Sequence, residues 1–505
     1  MLLLRNRALL CIALAVGALL GGCSYDDAAG PGDRVDITPT NDSIVAGTSI
    51  TPEDTVRLDA TVISNQGIPL PNAPVTWTSS DESVATVDSA GLVTAVGFGT
   101  AQITARSGDR EAVAVITVVR DENTAGGDTL FARISAARDF SCATTTGGRA
   151  YCWGIDSVEQ LGSAVADSVC YDNYGIVFTD DSTALIQPFE CSLRPERVQN
   201  EGTLTHVDGG YAHGCAVDDL GRAFCWGKGP LGRLGNGSIE DVDVPSLVTS
   251  ALAFDSISTG DAHTCALTPD GAAWCWGADG FGQLGNLMRA TSTTPIPVEG
   301  GLTFKSISAG TRRTCALTTD GAAYCWGDNR GGQLGNGTLV LSDTAIAVAG
   351  GITFASISVG DTSVCGVATS GALYCWGENA EGQLGNGGFV GSTTPVQVPG
   401  GPFRTVSVGG THACALTVPA GELYCWGRYF LGVLRPNAGE RDFIGATPTK
   451  IGSVTFTEVD SGLRHSCGVT GEGAAYCWGS NLLGPFGDGL QQLLRPEPQR
   501  VKAPL

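Results

Sequence analysis

The sequence predicts an all-β chain, a small β-sandwich followed by a seven-bladed β-propeller, and three observations carry that prediction. A CWG tripeptide recurs at Cys152, Cys225, Cys275, Cys325, Cys375, Cys425 and Cys477, with four consecutive intervals of 50 residues and a first interval of 73. A period near 50 with four short strands per unit indicates a propeller blade rather than a helical solenoid. The 72 glycines demand many tight turns. Ahead of the repeats, short runs such as VRLDATVIS, PVTWTSS and TAQITA alternate apolar with polar residues and are separated by Gly, Pro, Asn and Asp, the pattern of half-buried strands.

At the N-terminus, Arg5 and Arg7 precede the apolar run ALLCIALAVGALL, which is too short for a stop-transfer helix and reads as an export signal. It ends in Leu20-Gly21-Gly22-Cys23, which resembles the bacterial lipobox. The resemblance implies cleavage before Cys23 and acylation of its thiol, and Ser24 resembles the outer-membrane sorting pattern. Residues 1–22 are therefore expected to be a lipoprotein signal peptide. Residues 23–34, rich in Gly, Asp and Ala, follow as a flexible tether. The expected location is the cell envelope, lipid-anchored, at the outer membrane or cell surface.

Residues 35–120 form the sandwich. The stretch VTWTSSDESVATVDSAGLVTAVGFGTAQITA, with Trp77 and the segment from Gly91 to Ala105, resembles the group 2 bacterial immunoglobulin-like domain, which implies a spacer or adhesive module. No cysteine lies between Ser24 and Ser141, so its core must hold by packing alone. Residues 121–130 read as a linker and 131–505 as the propeller.

The clearest repeats are HTCALTPDGAAWCWGADGFGQLGN from His263 and RTCALTTDGAAYCWGDNRGGQLGN from Arg313. Their Gly, His, Ala-Leu, Asp-Gly, aromatic-x-Trp-Gly and Gly-Gln-Leu-Gly positions resemble the regulator-of-chromosome-condensation repeat. The resemblance implies a ring closed by one blade completed from both chain ends. FARIS at the start of the propeller lacks a preceding strand and PEPQRV is left over at its end, so these two are expected to share a blade.

Within a repeat, TPDG fits a type I turn in a three-residue hairpin loop, which sets Leu267 opposite Ala273 and Cys265 opposite Cys275. Directly opposed residues on antiparallel strands have Cβ atoms near the separation that a disulfide prefers. The same register pairs Cys142 with Cys152, Cys215 with Cys225, Cys315 with Cys325, Cys365 with Cys375, Cys414 with Cys425 and Cys467 with Cys477. Of the 18 cysteines, setting aside Cys11 and Cys23, only Cys170 and Cys191 remain. Both lie in the insertion of the first unit and are expected to bond to each other. Spacing across a hairpin lacks the close CxxC knuckle of zinc sites, and disulfides point to an oxidising compartment.

The tryptophans of the seven CWG motifs fall on the strand face opposite the cysteines, where blade packing is the expected role. His213, His263, His412 and His465 each precede the first cysteine of a repeat by two residues, but Phe140, Arg313 and Ser363 occupy the same place elsewhere. A hydrogen-bonded structural role is expected, with no metal site and no cofactor. No nucleophile elbow, HExxH or P-loop is present, and a non-enzymatic function is expected.

The net charge of −22 repels nucleic acid. The resulting functional expectation is a cell-envelope lipoprotein whose propeller binds an extracellular or periplasmic protein or glycan. Tyr171, Tyr174, Phe178 and Phe189 in the insertion are the candidate contact residues. Two alternatives are an inhibitor-like propeller that blocks an extracellular enzyme and an envelope hydrolase with its site in the channel.

Overall fold

The computed structural model describes residues 34–38, 41–46, 55–64, 69–70, 73–97, 99–120, 130–163, 168–171, 177–178, 184–185, 188–200, 202–428, 443–481, 484–489 and 492–502. The chain divides into two compact units, Met1–Asp121 and Glu122–Leu505. Among the described residues, no helix is long and apolar enough to cross a membrane.

In the first unit the main sheet pairs Thr76–Ser79 with Gly99–Ser107, Gly99–Ser107 with Arg110–Arg120, and Arg110–Arg120 in parallel with Asn41–Ala46. Alternation along Gly99–Ser107 turns Ala101, Ile103 and Ala105 inward, and Ile103 lies opposite Ala114. Val35, Ile37, Val62 and Val93 complete a dry core, and Trp77 packs against it half-buried. Gly91 adopts φ +80° beneath that indole, where a Cβ would sit 2.9 Å from the ring.

In the second unit the described residues form seven blades: 131–197, 204–247, 256–297, 304–347, 354–398, 403–455 and 458–500. Each blade takes its four strands in chain order, from the channel outward. In blade 4 these are Phe304–Ala309, Arg313–Thr318, Ala323–Gly327 and Ser342–Ala347. Blade 1 adds a fifth strand, Ser168–Tyr171, at its outer edge from the insertion.

The expected shared blade does not form. FARIS lies in Phe131–Ala136, the inner strand of blade 1, while PEPQR ends Gln492–Arg500, the outer strand of blade 7. Each repeat supplies a full inner-to-outer set, so the chain ends fall between blades. Blades 7 and 1 then meet as neighbours, with Leu463 N–H donating to Ala137 O at 3.3 Å and Phe131 N–H to Gly473 O at 2.9 Å.

Packing between blades follows from the alternation within one strand. In Ala323–Gly327, Cys325 faces one neighbour while Tyr324 and Trp326 face the other, opposite Ala316 and Thr314. The disulfide face of each blade therefore meets the tryptophan face of the next. Cys265, Cys275, Leu284, Phe304 and Trp326 form one such cluster between blades 3 and 4. Cys467, Cys477, Phe486, Phe131 and Trp153 form the corresponding cluster across the ring closure. All seven CWG tryptophans are fully buried, so they serve as packing residues between blades.

Candidate functional site

The channel is bounded by the inner strands, and one position on each strand carries a hydroxyl or carboxylate that accepts a backbone N–H from the next blade. Gly209 donates to Ser135 at 3.0 Å, Thr259 to Asp208 at 2.7 Å and Ala309 to Ser258 at 3.0 Å. Val359 donates to Ser308 at 3.1 Å, Val408 to Ser358 at 3.0 Å and Ser461 to Ser407 at 2.8 Å. Ala136 donates to Asp460 at 2.8 Å, which returns the belt to blade 1. These bonds satisfy inner-strand amides that have no partner within their own sheet at that position.

Asp208 and Asp460 are half-buried in the channel wall. Desolvation, followed by the charge of Asp460, pushes Asp208 up to about 7, and desolvation also raises Asp460. Two carboxylates converging on a channel would suit acid–base chemistry, but their oxygens are committed to the belt. Asp208 also accepts from the hydroxyls of Ser135 at 2.9 Å and Thr259 at 3.1 Å, and Asp460 from that of Ser407 at 2.8 Å. Serine fills the equivalent position in the other five blades, so the shared role is structural. Among the described residues no cluster of three or more His, Cys, Asp or Glu is placed to hold a metal.

A second set of contacts grips each blade from the preceding one. The Trp326 indole N–H donates to Gln283 O of blade 3 at 2.9 Å, and the same carbonyl accepts the Thr314 hydroxyl at 3.0 Å. With that hydroxyl proton used, His263 Nε2, 3.0 Å from Thr314 Oγ1, must be the donor. Burial lowers His263 to about 3, so the ring is neutral with its proton on Nε2. The arrangement repeats at His213 with Thr264 and Arg233 O, and at His465 with Ser141 and Pro485 O. His412 contacts the Ser466 hydroxyl at 2.8 Å. Gly285, at φ +69°, closes over the Trp326 indole, where a Cβ would sit 2.9 Å from Nε1.

The rule behind the interruptions is legible after the fact. Each histidine is followed, one repeat later, by Thr264, Thr314, Ser466 or Ser141 immediately before the cysteine. After Phe140, Arg313 and Ser363 the corresponding residues are Gly214, Val364 and Ala413, none with a hydroxyl. Arg313 substitutes by donating to Gly360 O and Asp361 O of blade 5 at 3.1 and 2.7 Å.

Seven disulfides join Cys142–Cys152, Cys215–Cys225, Cys265–Cys275, Cys315–Cys325, Cys365–Cys375, Cys414–Cys425 and Cys467–Cys477, each across the second and third strands of one blade. Cys191 is disulfide-bonded and buried. The side chains of Cys170, Tyr171, Tyr174, Phe178 and Phe189 lie outside the described residues, as does Cys23.

The face bearing the connections from third to fourth strand carries a feature that the sequence reading missed. Ile239 in blade 2, Leu287 and Met288 in blade 3, Leu339 and Val340 in blade 4, and Phe389 and Val390 in blade 5 are exposed at the tips of this one connection, reaching 82% at Val390. They follow the buried Leu-Gly pair of each repeat, and it is their recurrence at one register that distinguishes them from scattered surface apolar residues. In the third-to-fourth-strand connection of blade 3, the Phe281 ring centroid lies 4.8 and 5.0 Å from the guanidinium groups of Arg312 and Arg330.

Comparison with known proteins agrees with this geometry. The regulator of chromosome condensation (RCC1) repeat matches residues 221–267, 270–317, 320–367 and 370–416, and a second model of the repeat adds 456–484. The group 2 bacterial Ig-like domain matches residues 34–118. Among solved structures, human WBSCR16 aligns with a TM-score of 0.60 at 21% identity over 70% of this chain and 94% of that one. Yeast RCC1 (Prp20), in a structure with Kap60, gives 0.57 at 21% identity over 72% and 83%. At such identities the likeness is one of fold. The chain thus carries regulator of chromosome condensation repeats, folded as a β-propeller with a disulfide in each blade, behind a group 2 bacterial Ig-like domain.

Proposed function

We propose that the protein is a non-enzymatic binding platform of the cell envelope, anchored through an acylated Cys23, that presents the long-loop face of its propeller to an extracellular or periplasmic protein or glycan. The observation that carries this reading is the recurrence of exposed apolar tips on four consecutive blades. Covering them would gain about 25 cal/mol per Å² of apolar surface removed from water. Asn329 Nδ2 donates to Thr338 O and Val340 O, and Asn379 Nδ2 to Gly388 O and Val390 O, so these tips are already ordered and less entropy is lost on capture. The insertion carrying Tyr171, Tyr174, Phe178 and Phe189 leaves the same third-to-fourth-strand connection in blade 1, and we assign it the same contact role. A hydrolase in the channel is less well supported, because Asp208 and Asp460 are occupied in the belt.

A photo-crosslinking residue placed at Met288 or Val390 of the full chain, in its own envelope, should give discrete adducts. The same residue at Leu220, exposed on the opposite hairpin face, should not. Adducts from Leu220 alone, or from none of the three, would contradict the assignment. The anchor is tested separately: Cys23→Ala should abolish acylation and membrane partition, and an unchanged intact mass and partition would refute it.

A further inference from the structure

We infer that blade 1 is the seam of the ring and that Asp460 and Asp208 are its latch. A shared strand would carry hydrogen bonds from one chain end to the other across the closing joint. Here blades 7 and 1 are separate sheets, so that joint rests on contacts between neighbours alone.

The belt changes its occupant at this joint. Serine fills the position in blades 1, 3, 4, 5 and 6, whereas the two blades that flank blade 1 carry aspartate. Where a serine such as Ser308 receives the next blade's amide, one oxygen joins two blades. A carboxylate has a second oxygen to place. Asp460 Oδ2 accepts from Ala136 N–H of blade 1 and its Oδ1 from Ser407 Oγ of blade 6, both at 2.8 Å. Asp208 Oδ1 accepts from Ser135 Oγ of blade 1 at 2.9 Å, while its Oδ2 takes the Thr259 amide and hydroxyl of blade 3. Each aspartate thus ties three blades together, and blade 1 is held from both sides. The reach of two oxygens, independent of charge, is what the seam uses. The joint between blades 1 and 2 has further need of it, because Phe140 and Gly214 stand where a histidine and a hydroxyl clasp other joints.

Hydrogen exchange of the full, disulfide-intact chain tests this. Asp460→Ala should speed exchange of Phe131–Ala136 and Glu458–Ser461 about ten-fold and leave Phe304–Ala309 unchanged, the size expected when two hydrogen bonds are lost at one opening joint. Asp460→Ser, which keeps the amide acceptor and matches the other blades, should show the same localisation with about a three-fold change, and decides the matter if the alanine variant does not fold. Ser308→Ala should produce only a smaller change confined to blades 4 and 5. Uniform acceleration of all inner strands, an equal local effect at Ser308, or no change at Asp460 would overturn the latch.

Discussion

Trp326→Ala is expected to lower the unfolding free energy of the propeller by about 3–5 kcal/mol, the range for deleting a large buried aromatic that the surroundings cannot collapse onto. The indole is fully buried, lies against Phe304 at 6.1 Å between ring centroids, and packs in one cluster with the blade 3 disulfide. Its N–H also bonds Gln283 O, so removal leaves both a cavity and a carbonyl that keeps only the Thr314 hydroxyl. Trp326→Phe should cost less than half as much, since it keeps most of the apolar volume and loses the bond. Urea denaturation at pH 7 measures both. A loss below about 1 kcal/mol for the alanine variant would mean that the blades do not depend on this packing.

The second large effect belongs to the disulfides. Each bond links cysteines 10 or 11 residues apart, and chain-entropy estimates for such a loop give about 2.5–3 kcal/mol. Cys315→Ala with Cys325→Ala should therefore destabilise by about that amount. Seven such contributions exceed a typical net stability of about 5–15 kcal/mol, so full reduction should unfold the propeller. The sandwich contains no cysteine and should survive the same treatment. Hydrogen exchange by mass spectrometry under reductant should then find peptides from 131–500 unprotected and those from 34–118 still protected. Equal protection of both units would show that the bonds contribute little.

The fold was largely legible because a propeller repeats its instructions. The 50-residue period, the TPDG turn and the two-residue alternation at Cys325 and Trp326 are local, and local chemistry determines both the hairpin register and the face on which each side chain lies. What escaped the reading depends on partners a whole repeat away. The hydrogen-bonded structural role of His263 is legible in the sequence, but its partner Thr314 is not, because a single repeat does not contain it. Ser258, Ser308 and Asp460 read as ordinary polar positions of a strand until the next blade supplies the amide that each one accepts. Ring closure was misjudged for the same reason. A leftover terminal strand looks incomplete in sequence, and only the sheet order shows that Gln492–Arg500 already has its place beside Ala475–Asn481. The apolar tips were missed because Leu287, Val340 and Phe389 recur at the repeat period without lying on an alternating strand, so nothing in one repeat shows that they are exposed.

The measurement that bears most directly on the account is peptide mapping of the non-reduced native protein. If each blade is stapled within itself and the ring is held by packing between blades, every first cysteine of a repeat will be found linked to the cysteine of its own CWG motif, as Cys265 is to Cys275, with Cys191 linked to Cys170. Linkages between neighbouring repeats, or free thiols throughout, would contradict the account.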